Sequence, residues 1–276
     1  MSGHPLKAAL VGQVRAIFND PKRGEAPIQR SPDALFAPGS VIWRVHGDVA
    51  TMMVGGVASL LLQMLHPKVL AGVWDHSNFR ADMHGRLRRT ARFIAVTTYG
   101  ARGDAEAAIA RVRRIHDAVT GTLPGGAPYR ASDPDLLAWV HVTEATSFLD
   151  AWIRYGEPAM SRADQDRYFA EIAEIGDRLG VAPLPRTRAE AERLIAAMRP
   201  QLAVDARTRE VAQLILQRRA TTPALQPLQA MTFGAAIDLL PGWARTMHGL
   251  SRPMLGVPLV RTGTLGLART LRWAFS

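Results

Sequence analysis

The sequence predicts an all-α, single-domain helical bundle. Three observations carry that expectation. Apolar residues recur at three- and four-residue spacing through most of the chain, few stretches alternate apolar and polar residues at period two, and no internal repeat returns at a fixed period. Hydrophobic residues make up 47% and charged residues 21% of the 276 positions, which is globular composition with ample apolar side chain for a core.

Residues 1–40, rich in Pro, Gly and charge, read as an N-terminal arm carrying a short helix around 6–18. The main helical domain spans 41–245, and 246–276 form a basic C-terminal tail packed on or near it. Asp48 is placed to cap a helix that runs to about Leu65, where His66-Pro67 stops it, because a residue before proline is pushed out of the helical region. The 17 uncharged residues from Val49 to Leu65 approach the length of a membrane span, but Gly55, Gly56, Ser59 and Gln63 favour a buried helix. Two adjacent glycines there mark a close approach to another element or a ligand, since each costs a helix about 1 kcal/mol relative to Ala.

A further helix is expected over Pro67–Asp75. In Gly85–Thr98 the positions Arg86, Arg89/Thr90, Phe93 and Thr97 share one face, which turns polar groups toward the interior. Asp104 begins a helix whose apolar stripe is Ala105, Ala108, Ile109, Val112, Ile115, His116 and Val119, closed by Gly121, so His116 points inward and Arg113 borders the stripe. Residues 122–132 predict a loop. Asp133-Pro134 supplies a cap and first-turn proline for a helix carrying Leu137, Val140, His141, Glu144 and Phe148 on one side. Ser161 starts a helix to about Leu179, and Thr187 with Glu190 makes a capping box for one ending near Met198. Helices over 203–218, 227–239 and part of 241–270 complete the bundle.

Composition narrows the chemistry. With no cysteine, disulfide scaffolds, Cys-ligated zinc, iron–sulfur clusters and thiolate-ligated or covalently attached haem are excluded, so any metal sits on His, Met, Tyr or carboxylate. There is no H-E-x-x-H, no Glu three residues before a His, no G-x-S-x-G and no phosphate-binding loop, which removes zincin, di-iron carboxylate, serine hydrolase and nucleotide readings. The 34 Lys and Arg against 24 Asp and Glu give a net charge of +10, and no acid follows Asp238. The tail suits an anionic membrane surface by charge; nucleic acid is not expected, because the arginines are spread without aromatic interleave. The N-terminus lacks a secretory signal pattern, so a cytoplasmic protein, peripheral to a membrane at most, is expected. The oligomeric state is not readable.

What remains is an inward imidazole, His116, on one helix face and Arg86, Arg89 and Thr90 on another. A haem b in a helical protein needs a neutral imidazole on iron, apolar side chains around the ring and cations for its propionates, and these ingredients are present. The alternative is a core histidine bonded to a backbone carbonyl. His141 is the second candidate ligand, with His66 and His76 behind it; His76 and Asp75 otherwise read as structural groups that close a helix end, or as groups orienting a distal water.

The runs RVHGD (44–48), LLLQMLHPKVLAGVWDHSNFR (60–80), GRLRRTARF (85–93), RVRRIH (111–116), YRASDPDLLAWVH (129–141) and LLPGWAR (239–245) resemble the bacterial oxygenase family that includes MpaB and the latex clearing proteins, or rubber oxygenases. The resemblance covers roughly 40–245. It implies a globin-like helical fold and a non-covalent haem b at which dioxygen cleaves carbon–carbon double bonds of an apolar, isoprenoid substrate. It also implies that Arg113–His116 is the proximal motif, with His116 on the iron and Arg113 and Arg86 holding the cofactor, and that Arg86, Arg89 and Thr90 form the distal, catalytic segment. Where the latex clearing proteins carry a distal lysine this chain has Arg89, a permanently charged and poor iron ligand, which implies an open or water-occupied sixth position. The competing reading is a haem- or ligand-binding helical protein without turnover that docks on a membrane or partner.

Overall fold

The computed structural model describes residues 7, 11–12, 19, 24–217, 226–251 and 256–275. Most of the expected arm helix at 6–18 lies outside the described residues. Twelve α-helices are described: α1 Val41–His46, α2 Val49–Gln63, α3 Pro67–His76, α4 Met83–Tyr99, α5 Arg102–Ala118, α6 Pro134–Tyr155, α7 Arg162–Leu179, α8 Arg188–Met198, α9 Ala206–Gln217, α10 Gln226–Leu239, α11 Gly242–His248 and α12 Val257–Phe275. One small antiparallel hairpin, β1 Thr120–Thr122 with β2 Pro128–Arg130, stands between α5 and α6. The expected mostly-α bundle is therefore what the chain forms.

The bundle is organised around α2 and α6, the most extensively packed pair. Their contact is closest at Gly55, where an added Cβ would lie 2.8 Å from both the Ser147 carbonyl oxygen and Phe148 Cδ1. Gly56 faces away from this seam, with Phe148 Cε1 3.8 Å from where its Cβ would stand. The expected close approach is thus made by the first glycine of the pair. Asp48 caps α2 as anticipated, accepting from the Thr51 amide at 2.9 Å. No single helix among the described residues is long and apolar enough to cross a membrane; α2 and α3 reach that length only together, across a 105° bend.

Packed on this pair are α10 and α12 on one side and α1, α7 and α8 on another. The N-terminus of α1 is closed by Glu171 of α7, whose two carboxylate oxygens accept from the Val41 amide at 3.3 Å and the Ile42 amide at 2.6 Å. Ser161 caps α7, and the Thr187–Glu190 capping box opens α8, both at the expected positions. The C-terminal helix α12 buries Ala268, Leu271 and Ala274. Arg272 donates to Asp48 at 2.6 Å and to the Tyr155 carbonyl at 2.8 Å, and Arg261 donates to Asp238 at 2.8 Å. Two of the tail's arginines are therefore committed to interior acids.

Four local expectations are corrected. Helix α5 ends at Ala118, not at Gly121, because the chain turns at once into β1. The segment read as a loop holds β2: Tyr129 pairs with Gly121, is 1% exposed and donates through its hydroxyl to Asp75 at 2.8 Å. A side chain at Gly121 would collide with the Tyr129 ring, so the glycine serves the sheet and not a helix end. Asp133 stands at the start of α6 without capping it; its carboxylate accepts from the Arg130 amide. Finally, Ile115, placed on the inward stripe by spacing, is 51% exposed.

Candidate functional site

Helices α4 and α5 form a helical hairpin, joined at Gly100-Ala101 and packed against each other. Near the turn the hairpin is sealed: Thr97, Thr98, Ala105 and Ile109 are buried. Toward its far end burial is mixed, with Met83 and Gly85 buried. Arg89 and Thr90 are exposed, Leu87, Val112 and His116 are half-buried, and Ile115 faces solvent.

Each expected site residue has a definite setting. Arg86 is half-buried and donates from Nη1 to Ser77 Oγ at 2.9 Å. Burial first, and Arg89 second, push its pKa down, although a guanidinium keeps its charge in proteins. Arg89 approaches Asp82 at 3.5 Å, and the same Asp82 caps α4 through the Gly85 amide. Thr90 Oγ1 donates to the Arg86 carbonyl at 3.3 Å. The expectation that this face turns inward thus holds for Thr97, in part for the half-buried Arg86, and fails for Arg89 and Thr90, because the residues that α4 sinks into the core near its start are Met83 and Gly85. Arg113 donates to the Arg178 carbonyl at the end of α7, 3.4 Å away, which ties α5 to α7.

His116 Nδ1 is buried and makes no hydrogen bond with any described residue. Burial lowers the imidazole pKa, against a smaller upward pull from Asp117, so the ring is held neutral. No described hydrogen bond joins His116 to Arg86, Arg89 or Thr90. His141, the second candidate, is more deeply enclosed: burial lowers it to about 4, its Nε2 is buried without a partner, and it lies against Gly176 of α7. His76 and Asp75 are structural, bonded to the Thr120 carbonyl and the Tyr129 hydroxyl. His66 faces Gln201 at 3.4 Å.

Sequence reasoning passed over an interior polar chain that ties four helices. His46 places Nδ1 2.9 Å from Thr98 Oγ1 and Nε2 3.0 Å from the Tyr168 hydroxyl, and burial holds it near 3. Glu144, close enough to influence Tyr168, is raised to about 7 by burial. His46 stands in the run RVHGD, but its partners lie 52 and 122 positions away, so nothing local could reveal the chain.

Among the described residues no three His, Asp or Glu side chains are grouped to hold a bare metal ion. A neutral imidazole with an unsatisfied buried nitrogen instead has the donor chemistry for a metal held chiefly by a macrocycle. His116 fits that role better than His141, whose surroundings are closed by α7. Two cavities bear on the bundle. One of about 30 Å³ lies between α2, α6, α8, α10 and α11, and one of about 10 Å³ is walled by α2, α3, α4 and α9 with Arg86 at its edge, so each has room for a water or two. Neither is lined by His116.

One family model, described as ER-bound oxygenase mpaB/B'/Rubber oxygenase, catalytic domain, matches residues 43–273. The match runs past the 40–245 of the sequence resemblance and takes in α11 and most of α12. No curated protein and no solved structure gives a significant match.

Proposed function

From the premise that the chain belongs to the mpaB/rubber oxygenase catalytic-domain family, we propose that it is a haem b-dependent oxygenase that uses dioxygen on an apolar, unsaturated substrate of the isoprenoid class. The observation that carries the haem assignment is His116, a neutral imidazole on α5 with a buried, unsatisfied nitrogen.

In this reading His116 would hold the haem iron through its unsatisfied nitrogen. Burial keeps its proton off at neutral pH, which a metal ligand requires. When bound, haem b supplies the dioxygen chemistry. In the same reading Arg86 and Thr90, a guanidinium and a hydroxyl on α4, would hold polar atoms of substrate or cofactor. Arg89 cannot ligate iron as a lysine amine can, and its partner Asp82 holds it at the rim. Half-buried Leu87 and Val112 offer the apolar wall that displaces water from an oily substrate.

Purified protein tests this directly. The expected preparation is red, or becomes so on adding hemin, with a Soret band that shifts under carbon monoxide. His116→Ala is expected to lose stoichiometric haem while keeping the wild-type circular dichroism. Full haem retention with an unchanged spectrum in that variant would remove His116 from the iron. Oxygen uptake with prenylated or polyunsaturated compounds separates an enzyme from a haem carrier without turnover.

A further inference from the structure

Large apolar side chains stand well exposed at two places among the described residues: Leu259, Trp273 and Phe275 on α12, and Ile115 on α5. Only Ile115 adjoins the candidate site, one position before His116. At 3.6 residues per turn Arg111, Arg114 and Ala118 share the solvent side of α5 with it, and all three are exposed. Ala105, Ile109, Val112 and His116 make the side that packs on the bundle.

Arg113 is tied to the Arg178 carbonyl, and Arg178 to Glu174. Neither Arg111 nor Arg114 makes an ion pair or hydrogen bond with a described residue, and Asp117, three positions beyond Arg114, is not paired with it. One isoleucine is too little apolar surface to enter a bilayer. An apolar centre ringed by unpaired cations instead has the make-up of a small, brief encounter with an acidic protein, which the charges steer and the apolar contact seats.

What such a partner brings follows from the oxygenase reading, on which this inference rests. Dioxygen and a carbon–carbon double bond give two carbonyls with no net electron consumed, but haem iron takes up dioxygen only when ferrous. Without cysteine the chain has neither an iron–sulfur cluster nor a dithiol to restore iron that has lost an electron. We propose that the face of α5 formed by Arg111, Arg114 and Ile115 docks a small acidic one-electron carrier protein, which keeps the iron at His116 reduced. One electron passes per encounter: the carrier is oxidised, ferric iron becomes ferrous, and no bond forms or breaks.

Calorimetric titration of the full chain, haem-replete and haem-free, with an acidic plant-type two-iron ferredoxin tests the docking without requiring turnover. Both forms are expected to bind it at low ionic strength and to lose at least about tenfold in affinity at about 0.5 M salt. Arg111→Glu with Arg114→Glu should lose at least about tenfold at low salt, and Ile115→Ser part of that. Arg193→Glu with Arg269→Glu, the same charge change at exposed positions of α8 and α12, should lose little. In stopped flow, reduced ferredoxin should drive the carbon monoxide shift of the Soret band at least about tenfold faster in wild type than in the α5 double variant, while dithionite reduces both equally, so loss of haem or of fold cannot imitate the result. Equal ferredoxin affinity in wild type and the α5 double variant would overturn the proposal, and so would an equal loss in the α8 and α12 pair, which would reduce the effect to net charge. Capture by phosphatidylglycerol vesicles that the α5 double variant loses would give the face to a membrane and overturn it too. A chain that takes up no haem yet binds ferredoxin through Arg111 and Arg114 would keep the docking face and remove the haem reading; haem uptake without ferredoxin binding would do the reverse.

Discussion

Glu144, His46 and His141 are buried in one helical interior, and pH acts on them in opposite senses. Burial raises the Glu144 carboxyl from 4.5 to about 7, so its protonated form stabilises the fold below pH 4.5 and that contribution is lost as pH rises through 7. Burial lowers His46 from 6.5 to about 3 and His141 from 6.5 to about 4; their neutral forms contribute fully above pH 6.5, and the contribution is lost as pH falls toward 4 and then 3. Glu144→Gln should therefore raise the melting temperature at pH 8 more than at pH 5, and an equal change at both would refute a buried, titrating Glu144. Wild-type protein should lose stability between pH 6.5 and 4, and His141→Leu should lose less over the same range in parallel thermal melts. At this scale the sequence is only half readable. An inward His116 follows from helical spacing, but the openness of its surroundings does not, since Ile115 on the same stripe meets solvent. The interior chain through His46 depends on Thr98 and Tyr168, which only the folded topology brings to it.

Helix boundaries were the most readable feature, because they are written in local chemistry. The Thr187–Glu190 box, the Asp48 and Ser161 caps and the break at His66-Pro67 each involve residues within four positions of one another. The hairpin at 120–130 was not readable: its strands are three residues each, too short for period-two alternation, and its pairing is held by Tyr129 folding over Gly121. The α2–α6 seam yields a paired prediction. Gly55→Ala places a methyl against the Ser147 carbonyl, a backbone atom that cannot turn aside, and should cost about 1–3 kcal/mol in chemical denaturation. Gly56→Ala meets ordinary contact distance and should instead stabilise by up to about 1 kcal/mol through helix propensity. The same sign for both would contradict the seam.

Across the whole molecule, the charge asymmetry of the sequence takes on a different meaning in three dimensions. The tail after Asp238 is rich in arginine and free of acid, yet Arg261 and Arg272 reach back to Asp238 and Asp48. A linear reading registers the excess cations but not acids that stand 23 and 224 positions earlier. Asp238→Ala should destabilise the fold by about 1–3 kcal/mol, since it strips a shared acceptor from Arg154 and Arg261, and a neutral effect in urea titration would show the cluster to be ornamental. The bond between Arg272 and Asp48 has a further consequence: α12 latches the residue that caps the central helix, so the two ends of the described bundle are fastened by one guanidinium. Arg272→Ala should therefore speed proteolytic cleavage near the start of α2, far away in sequence, and unchanged cleavage there would show that the latch carries no strain.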